Sequence, residues 1–385
     1  MRILHTADWH LGRILHGVHL TDDQAHVLTQ LVEIVAETRP DVVVVAGDVY
    51  DRAIPPPDAV ALLDDTLACV ADGLRTPVVL IAGNHDSPER LGFGARLLAA
   101  GRLHVVGRLP EKPAPLVLED AHGPVEIHAL PFAEPPVVRE RTGDPGVRDT
   151  ASALHRLLDD ARKARNPRHR AVLVAHAAVL GCETTESERP LSIGGTDAVP
   201  PRIFEGFDYV ALGHFHRAQA AGAPRVRYAG SLLPYSLSEI GQDRSVSLVE
   251  LDAAGRVAVE EIALRPRRAL RRVEGTLAEL EAAGRSDPAR EDYVVVRLLD
   301  RGPLLDPVGR LRSIWPNLLH IERPSLAAPD ARTRVEGARR LRGRSEIELF
   351  ADFVRETTGE ELGDAERVAL GGVLEALARR EREAD

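Results

Sequence analysis

The sequence predicts an α/β protein whose strands form the middle of the fold and whose helices surround them. Short apolar runs such as Val42–Val45 and Val78–Ile81 alternate with amphipathic segments such as the one from Thr21 to Pro40. This alternation is typical of an α/β core. Polar side chains follow directly after several of the apolar runs, which is where α/β proteins place their ligands. The sequence therefore predicts a functional site at the strand ends.

Length and composition are those of a globular protein with more than one domain. The chain has 385 residues, of which 44% are hydrophobic and 28% charged, and its net charge is −10. The acidic balance argues against a globally basic coat for nucleic acid, but it does not exclude a local basic track. No apolar run approaches the ~20 residues of a membrane span, and the first residues lack a signal peptide's apolar core. A cytoplasmic protein is expected.

The chain is predicted to divide into four parts. Residues 1–264 carry the alternating strands and helices, and residues 265–328 have the order strand, helix, strand, helix, strand of a small second α/β domain. Residues 329–344 are polar and rich in Arg, which is typical of a linker. Residues 345–385 are predicted to form two amphipathic helices, the first beginning with a capping box of Ser345 and Glu348. Their separation from the core by the linker favours a partner surface over packing on the chain's own core.

Five strand ends carry side chains that can bind a metal. They are Asp8 with His10, Asp48, Asn84 with His85, His176, and His214 with His216. Each one alone is explained by a solvated turn, a helix cap or a structural histidine. Independent accidents would not all fall directly after buried strands, so their joint occurrence favours a single site. Because Cys69 and Cys182 are the only cysteines, any metal ligands must be His, Asp, Glu or Asn.

This mixture of ligands suits two divalent transition-metal ions. Imidazole together with carboxylate favours Mn²⁺, Fe or Zn²⁺ over Mg²⁺, which prefers oxygen ligands and water. Two ions ~3.5–4 Å apart can stabilise both the attacking and the leaving oxygen of a phosphoester. A carboxylate between the ions offsets their mutual repulsion. The residue types therefore indicate metal-assisted hydrolysis of a phosphoester.

The order of the motifs resembles that of the calcineurin-like metallophosphoesterase superfamily. Between residues 8 and 216 the chain shows D-x-H, G-D-x-x-D, G-N-H-D, H and G-H-x-H. The resemblance implies a β-sandwich flanked by helices that holds two Mn²⁺ ions, with Mg²⁺ or another divalent metal as alternatives. The implied ligands are Asp8, His10 and His216 for one metal, Asn84, His176 and His214 for the other, and Asp48 as the bridge.

The same resemblance implies two catalytic residues. His85 would face the phosphate, stabilise the developing charge and protonate the leaving oxygen, as general acid catalysis requires. Asp51 would hold the His85 imidazole in orientation. Arg52 completes G-D-x-x-D-R, which resembles the protein phosphatase form of the motif, in which this Arg grips the substrate phosphate.

A narrower resemblance, to the SbcD family of bacterial nuclease subunits, covers nearly the whole chain. It is carried by four stretches: Met1–Arg13, Gly47–Pro57, Tyr228–Glu239 and Glu348–Glu361. The resemblance implies a Mn²⁺-dependent nuclease that cuts double-stranded DNA ends and hairpins in the nucleoid. It also implies a capping domain at 265–328 and C-terminal helices that dock on the coiled coil of the ATPase SbcC. A homodimer within a heterotetramer, regulated by ATP, completes the expectation.

Five basic side chains are candidates for DNA contact: Arg13, His16, Arg52, Arg267 and Arg268. The alternative for each is a solvated loop or strand edge. Two rival functions stay open. One is a phosphomonoesterase or phosphodiesterase for small substrates, favoured by Arg52 and disfavoured by the extra domain and tail. The other is a non-catalytic module that uses its metals structurally, disfavoured by the presence of every motif residue.

Overall fold

The computed structural model describes residues 1–189, 198–324, 345–359 and 361–384. The chain divides into two compact units, Met1–Ala269 and Leu270–Asp385. The predicted linker at 329–344 lies outside the described residues. Within the described parts of the chain, no helix combines the length and the apolar character that crossing a bilayer requires.

The first sheet of the N-terminal unit has six strands, with the N-terminal strand near its centre. The order across the sheet is Val257–Leu264, Arg244–Leu251, Arg2–Thr6, Val42–Ala46, Val78–Ile81 and Leu103–Val106. The last four strands run parallel, Arg244–Leu251 is antiparallel to Arg2–Thr6, and Val257–Leu264 is antiparallel to Arg244–Leu251. Every residue of Val42–Ala46 is buried. A strand covered on both faces needs apolar side chains on both, which accounts for the run of four valines.

The second sheet of this unit also has six strands. Their order is Gln219–Ala221, Ala223–Tyr228, Tyr209–Gly213, Arg170–His176, Gly123–Leu130 and Leu116–Asp120. The four inner strands are parallel, and each edge strand is antiparallel to its neighbour. Side chains of both sheets, including Val44 and Val174, share one buried core. The expected β-sandwich is confirmed.

Helices flank the sandwich, also as expected. The α-helices of this unit span Thr21–Thr38, Pro57–Leu67, Pro88–Leu91, Ala95–Leu98, Pro135–Thr142 and Thr150–Ala164. A π-helical turn covers Ala68–Gly73, and 3₁₀ turns cover Ala99–Gly101, Pro201–Phe204 and Leu237–Glu239. Short two-residue strand pairs join Ile14–Leu15 to Val18–His19 and Ala178–Val179 to Ala198–Val199. Leu154 and Leu158 pack on the outer face of the second sheet.

The C-terminal unit begins with a three-stranded parallel sheet. Strands Leu270–Gly275, Tyr293–Leu298 and Leu318–Glu322 alternate with helices Leu277–Gly284 and Pro307–Arg312. The predicted order of strand, helix, strand, helix, strand is confirmed. Two helices follow, Glu346–Thr358 and Asp364–Ala384, and the capping box of Ser345 and Glu348 is present at the start of the first.

Candidate metal centre

Main-chain hydrogen bonds join the loops that follow the parallel strands of the first sheet. The Asp8 N–H donates to the Gly47 carbonyl at 3.0 Å, and the His10 N–H donates to the Asp48 carbonyl at 2.9 Å. The His85 N–H donates to Asp48 Oδ1 at 2.9 Å. Parallel strands end at one edge of a sheet, and these bonds then fix the three loops against one another. Asp48 stands at the centre of the arrangement.

Four of the predicted ligand residues have left-handed backbone conformations. The φ angles are 54° at Asp8, 45° at His10, 49° at Asp48 and 111° at His214. Positive φ is uncommon for residues other than glycine, and such strain clusters at functional sites. The sharp turns aim the side chains into one volume instead of along the strands.

Glycines allow the loops to approach closely enough for this. A Cβ on Gly83 would lie 2.1 Å from Asp48 Oδ1, and one on Gly213 would lie 2.0 Å from the Ala46 carbonyl oxygen. Any side chain at these positions would push the Asp48 loop or the His214 loop away. The two glycines therefore set the spacing between the loops that carry the candidate ligands.

The structure brings all seven predicted ligands into one largely buried cluster. Their residues are Asp8, His10, Asp48, Asn84, His176, His214 and His216. Ligand atoms of Asp8, His10 and His216 lie within 4.8 Å of one another, which is the first predicted group of ligands. Asp48 lies with Asp8 and His176 in a second group of the same kind.

The remaining two predicted ligands lie beside His176. The Asn84 Oδ1 is 2.9 Å from His176 Nε2, and the centre of the His214 ring is 5.4 Å from that of His176. His214 is also tied to the first group, because its main-chain N–H donates to Asp8 Oδ1 at 2.9 Å. The cluster therefore has two lobes that meet at the carboxylates of Asp8 and Asp48.

Two of the imidazoles use Nδ1 to contact the surrounding protein. His176 Nδ1 is 2.9 Å from the Ala46 carbonyl, and His216 Nδ1 is 2.7 Å from Ser187 Oγ. This leaves Nε2 facing the cluster, where His10 Nε2 and His216 Nε2 are only 3.0 Å apart. Metal-bound histidines are held in the same way, with the second nitrogen hydrogen-bonded to the protein. The donor set and its orientation therefore fit divalent metal ions.

Burial and mutual charges set the protonation of the cluster. Burial, aided by the charge of Asp48, raises the pKa of Asp8 well above its usual range. Burial acts in the same direction on Asp48, but the charge and hydrogen bond of His176 outweigh it and hold that pKa well below its usual range. Burial lowers and Asp48 raises the pKa of His176, which comes to about 9. Burial lowers the pKa of His214 and of His216. Neutral imidazoles are the form that binds metal.

The structure places His85 and Asp51 together, although the contact differs from the expected one. His85 Nδ1 lies 2.8 Å from the main-chain carbonyl of Asp51, and His85 Nε2 lies 4.0 Å from Asp48 Oδ2. The Asp51 carboxylate instead pairs with Arg13 at 2.8 Å and lies 3.6 Å from His10 Nδ1. The carbonyl of Asp51 thus orients His85, and its carboxylate holds Arg13.

The five candidates for DNA contact differ in exposure and in ion pairing. Arg13 is turned toward the cluster by Asp51, so it braces the site instead of presenting a free cation. Arg268 is half-buried in an ion pair with Asp23 at 3.2 Å. Arg52, His16 and Arg267 are exposed.

Asp86 is a residue of the site to which the sequence analysis assigned no role. Its buried carboxylate accepts main-chain hydrogen bonds from Gly83 at 2.9 Å, Tyr50 at 2.9 Å and Val49 at 3.1 Å. It therefore joins the loop that carries Asp48 to the loop that carries Asn84. Its place as the last residue of G-N-H-D was the available signal.

Comparisons with known proteins assign both parts of the chain to known families. The model of the calcineurin-like phosphoesterase family matches residues 1–218, which is more than half of the chain. A second family model, described as the type 5 capsule protein repressor C-terminal domain, matches residues 266–358. The D subunit of the nuclease SbcCD of Staphylococcus epidermidis is 29% identical over 381 residues, covering 99% of this chain and 100% of that protein. The resemblance to the SbcD family is confirmed.

Solved structures with a similar chain trace include two that each cover about two thirds of this chain. A dimetal phosphatase from Danio rerio is 13% identical, covers 69% of this chain and 99% of its own, and gives a TM-score of 0.39. A hypothetical protein from Thermus thermophilus is 14% identical, covers 69% of this chain and 100% of its own, and gives a TM-score of 0.36. From the family match and the arrangement of its motif residues, the chain belongs to the calcineurin-like phosphoesterase family.

Proposed function

We propose that this protein is a Mn²⁺-dependent DNA nuclease and the SbcD-type subunit of an ATP-regulated complex that processes DNA ends and hairpins. The observation that carries the proposal is the convergence of seven candidate metal ligands, with Asp48 at their centre. The full-length similarity to the D subunit of an SbcCD nuclease supports the choice of DNA as substrate.

Two metal ions would be held by the two lobes of the cluster. Asp8, His10 and His216 would hold one ion, and Asn84, His176 and His214 the other, with Asp48 between them. When bound, divalent ions of this kind supply positive charge for the phosphoryl oxygens and lower the pKa of water.

The protein's own side chains would position the phosphodiester and assist departure of the leaving group. His85 is held through its Nδ1 by the Asp51 carbonyl, so its Nε2 faces the ligand cluster. From that position its doubly protonated, imidazolium form would donate the Nε2 proton to the leaving oxygen. Arg52 is exposed at the end of the same loop and would contact a substrate phosphate.

Cleavage is tested by incubating the protein with its coiled-coil ATPase partner, ATP, Mn²⁺ and end-labelled linear or hairpin DNA. Strand cleavage that EDTA abolishes is expected. His85→Asn should lower the rate by ~10²–10⁴-fold while two Mn²⁺ ions per chain stay bound. His155→Asn, at an exposed position of helix Thr150–Ala164, is the matched control and should cleave normally.

The same assay distinguishes the rival functions. Rapid hydrolysis of a chromogenic phosphate ester with no DNA cleavage would favour the small-substrate phosphoesterase that Arg52 suggests. DNA-end binding and repair that survive His85→Asn unchanged would favour a module with structural metals. Either result would overturn the nuclease proposal.

The tail helices would bind the coiled coil of the ATPase. Phe350 and Phe353 are exposed on helix Glu346–Thr358, with ring centres 6.1 Å apart. An exposed apolar stripe on an amphipathic helix suits a helical partner. Phe353→Asp should abolish co-elution with the ATPase and leave metal content unchanged, whereas Arg355→Ala on the same helix should leave both co-elution and metal content unchanged. Co-elution of a chain lacking residues 345–385 would refute the assignment.

A homodimer is supported by exposed apolar side chains in the segment of short helices Pro88–Leu91 and Ala95–Leu98, with Phe93 in the turn between them and Leu97 on the second helix. Phe93 is 85% exposed and Leu97 is 82% exposed. Contiguous exposed apolar patches mark protein interaction sites, and two large apolar side chains four residues apart are a candidate for one. Light scattering should give twice the chain mass for the wild type and the single chain mass for Phe93→Glu. A monomeric wild type would contradict the dimer.

A further inference from the structure

A buried network of polar side chains lies behind His216, on the side away from the ligand cluster. Ser187 Oγ is 2.7 Å from His216 Nδ1 and 2.5 Å from Glu239 Oε1. Ser187 is 7% exposed and Glu239 is 1% exposed. A buried carboxylate and hydroxyl need defined partners, because leaving either unsatisfied is costly. Here the chain of contacts runs from Glu239 through Ser187 to the ring of His216.

Glu239 is fixed as an acceptor of hydrogen bonds. Arg244 Nη2 pairs with Glu239 Oε2 at 2.7 Å, and the Tyr235 N–H donates to the same oxygen at 3.2 Å. On the other oxygen, Ser236 Oγ donates to Oε1 at 3.0 Å. Arg244 also donates to the main-chain carbonyl of His216 at 2.8 Å. The carboxylate and the His216 main chain are therefore held by one guanidinium.

The direction of the proton in each contact follows from the number of protons available. A hydroxyl has one proton to donate, and an ionised carboxylate can only accept. In the 2.5 Å contact, the Ser187 hydroxyl therefore donates its proton to Glu239 Oε1. Thr185 Oγ1 also lies 2.8 Å from Ser187 Oγ, which has no second proton to donate and must accept from both Thr185 and His216 Nδ1. His216 Nδ1 therefore carries the ring proton. The lone pair of the neutral ring is left on Nε2, which lies 3.0 Å from His10 Nε2 in the cluster.

We infer that Ser187 and Glu239 are positioning residues that fix the tautomer and the ring orientation of His216 for metal binding. The inference rests on the metal centre of the proposed function and adds a device supplied by two distant segments. Ser187 lies in the segment that follows strand Ala178–Val179. Glu239 is the last residue of the Tyr228–Glu239 stretch that carries the family resemblance. Removal of such a partner of a metal-bound histidine lowers metal affinity by ~10–100-fold.

The test is a titration of the full-length, metal-free chain with Co²⁺, followed by calorimetry and by the visible absorption of the bound ion. The wild type should bind two ions. Ser187→Ala should weaken one binding event by at least ~10-fold and alter the spectrum of that ion, while the other event stays unchanged. Ser187→Thr, which keeps the hydroxyl, should bind more like the wild type than Ser187→Val, which has nearly the same shape without it.

Ser236→Ala is the matched control. Ser236 donates to the same Glu239 oxygen, but the structure shows its hydroxyl bonded to Ser238 and Glu239 and not to His216. Its loss should leave both binding events intact. Circular dichroism checks that each variant is folded, and if Ser187→Ala is not, the Thr and Val pair decides.

Two results distinguish a failure of the proposed metal centre from a failure of the positioning role of Ser187. A wild-type chain that binds fewer than two ions would contradict the metal centre itself. A wild type with two ions and a folded Ser187→Ala or Ser187→Val with unchanged affinities and spectrum would overturn the positioning role alone. An equal loss in Ser236→Ala would overturn it too, because the effect would then not depend on contact with His216.

Discussion

Replacement of Asp86 by Ala should damage both the stability of the N-terminal unit and its metal site. The Asp86 carboxylate is buried and accepts three main-chain hydrogen bonds, from Gly83, Val49 and Tyr50. Alanine would leave all three donors without this acceptor and would loosen the contact between the loops that carry Asp48 and Asn84.

The size of the effect follows from the number of donors. A buried donor without a partner costs ~1–3 kcal/mol. Three donors, partly relieved by water entering the space left by the carboxylate, give an expected loss of ~3–5 kcal/mol in the free energy of unfolding. Asp86→Asn keeps one acceptor oxygen and should lose less. Mn²⁺ affinity should fall by at least ~10-fold in Asp86→Ala, because the Asp48 loop is no longer held in place.

The chain's two tryptophans allow this loss to be assigned to one unit. Trp9 is buried in the N-terminal unit and Trp315 in the C-terminal unit. In a Trp315→Phe background, urea unfolding followed by fluorescence therefore reports on Trp9. Asp72→Ala, at an exposed carboxylate of the same unit, is the control. A loss below ~1 kcal/mol in Asp86→Ala, with wild-type Mn²⁺ affinity, would refute the reasoning.

Three further predictions concern the same unit. Gly83→Ala should bind fewer than two Mn²⁺ per chain by elemental analysis, because its Cβ would lie 2.1 Å from Asp48 Oδ1. Two bound ions would contradict this. Gly101→Ala is the control, because nothing lies within 4 Å of its Cβ. Asp120→Asn should cost ~3 kcal/mol at pH 7 because buried Arg170 loses its carboxylate partner. Hydrogen bonds from Arg170 hold the folded pKa of Asp120 below its unfolded value, so this difference should persist above ~pH 5 and shrink as the pH falls; a difference that grows on acidification would contradict it. Mn²⁺ at 100 times its dissociation constant should add ~2.7 kcal/mol per site to the free energy of unfolding reported by Trp9 and nothing to that reported by Trp315. A gain reported by Trp315 and not by Trp9 would place the metals in the C-terminal unit and contradict the prediction.

The candidate ligands could be predicted from the sequence because their signal is local. Each follows directly after a buried strand. Apolar runs such as Val42–Val45 can be recognised as strands from the sequence without any tertiary information. Within each of the two sheets, parallel strands then bring their ends to one edge by topology alone, and the packing of the sheets on one core brings the two sets of ends together. What could be predicted was therefore which residues meet, and the structure places them together.

The atoms that make each contact could not be predicted in this way. Asp51 was expected to orient His85, but the motif does not specify whether the carboxylate or the main-chain carbonyl does so. The structure uses the carbonyl for His85 and the carboxylate for Arg13. Residue type constrains chemistry, whereas the choice between main chain and side chain depends on the turn that the loop adopts.

Tertiary contacts also overrode a local pattern at the first helix. Thr21 and Gln24 have the spacing of a capping box, from which the sequence alone predicts a cap at Thr21. The structure shows that this is wrong, because Leu20 is the N-cap residue and makes no side-chain cap. Gln24 instead accepts from the Gly12 N–H at 3.0 Å and donates to the His10 carbonyl at 2.7 Å. The contact of Ser187 with Glu239 and His216 could not be predicted from local sequence either. Ser187 and Glu239 are 52 residues apart, and no local pattern links them to His216.

The central claim is that seven side chains hold two cations on either side of Asp48. Crystals of the protein grown or soaked with Mn²⁺ test it directly through anomalous scattering. The account predicts two peaks ~3.5–4 Å apart, one beside His10 and His216, the other beside His176 and His214, with the Asp48 carboxylate between them. A single peak, or two peaks away from Asp48, would contradict it.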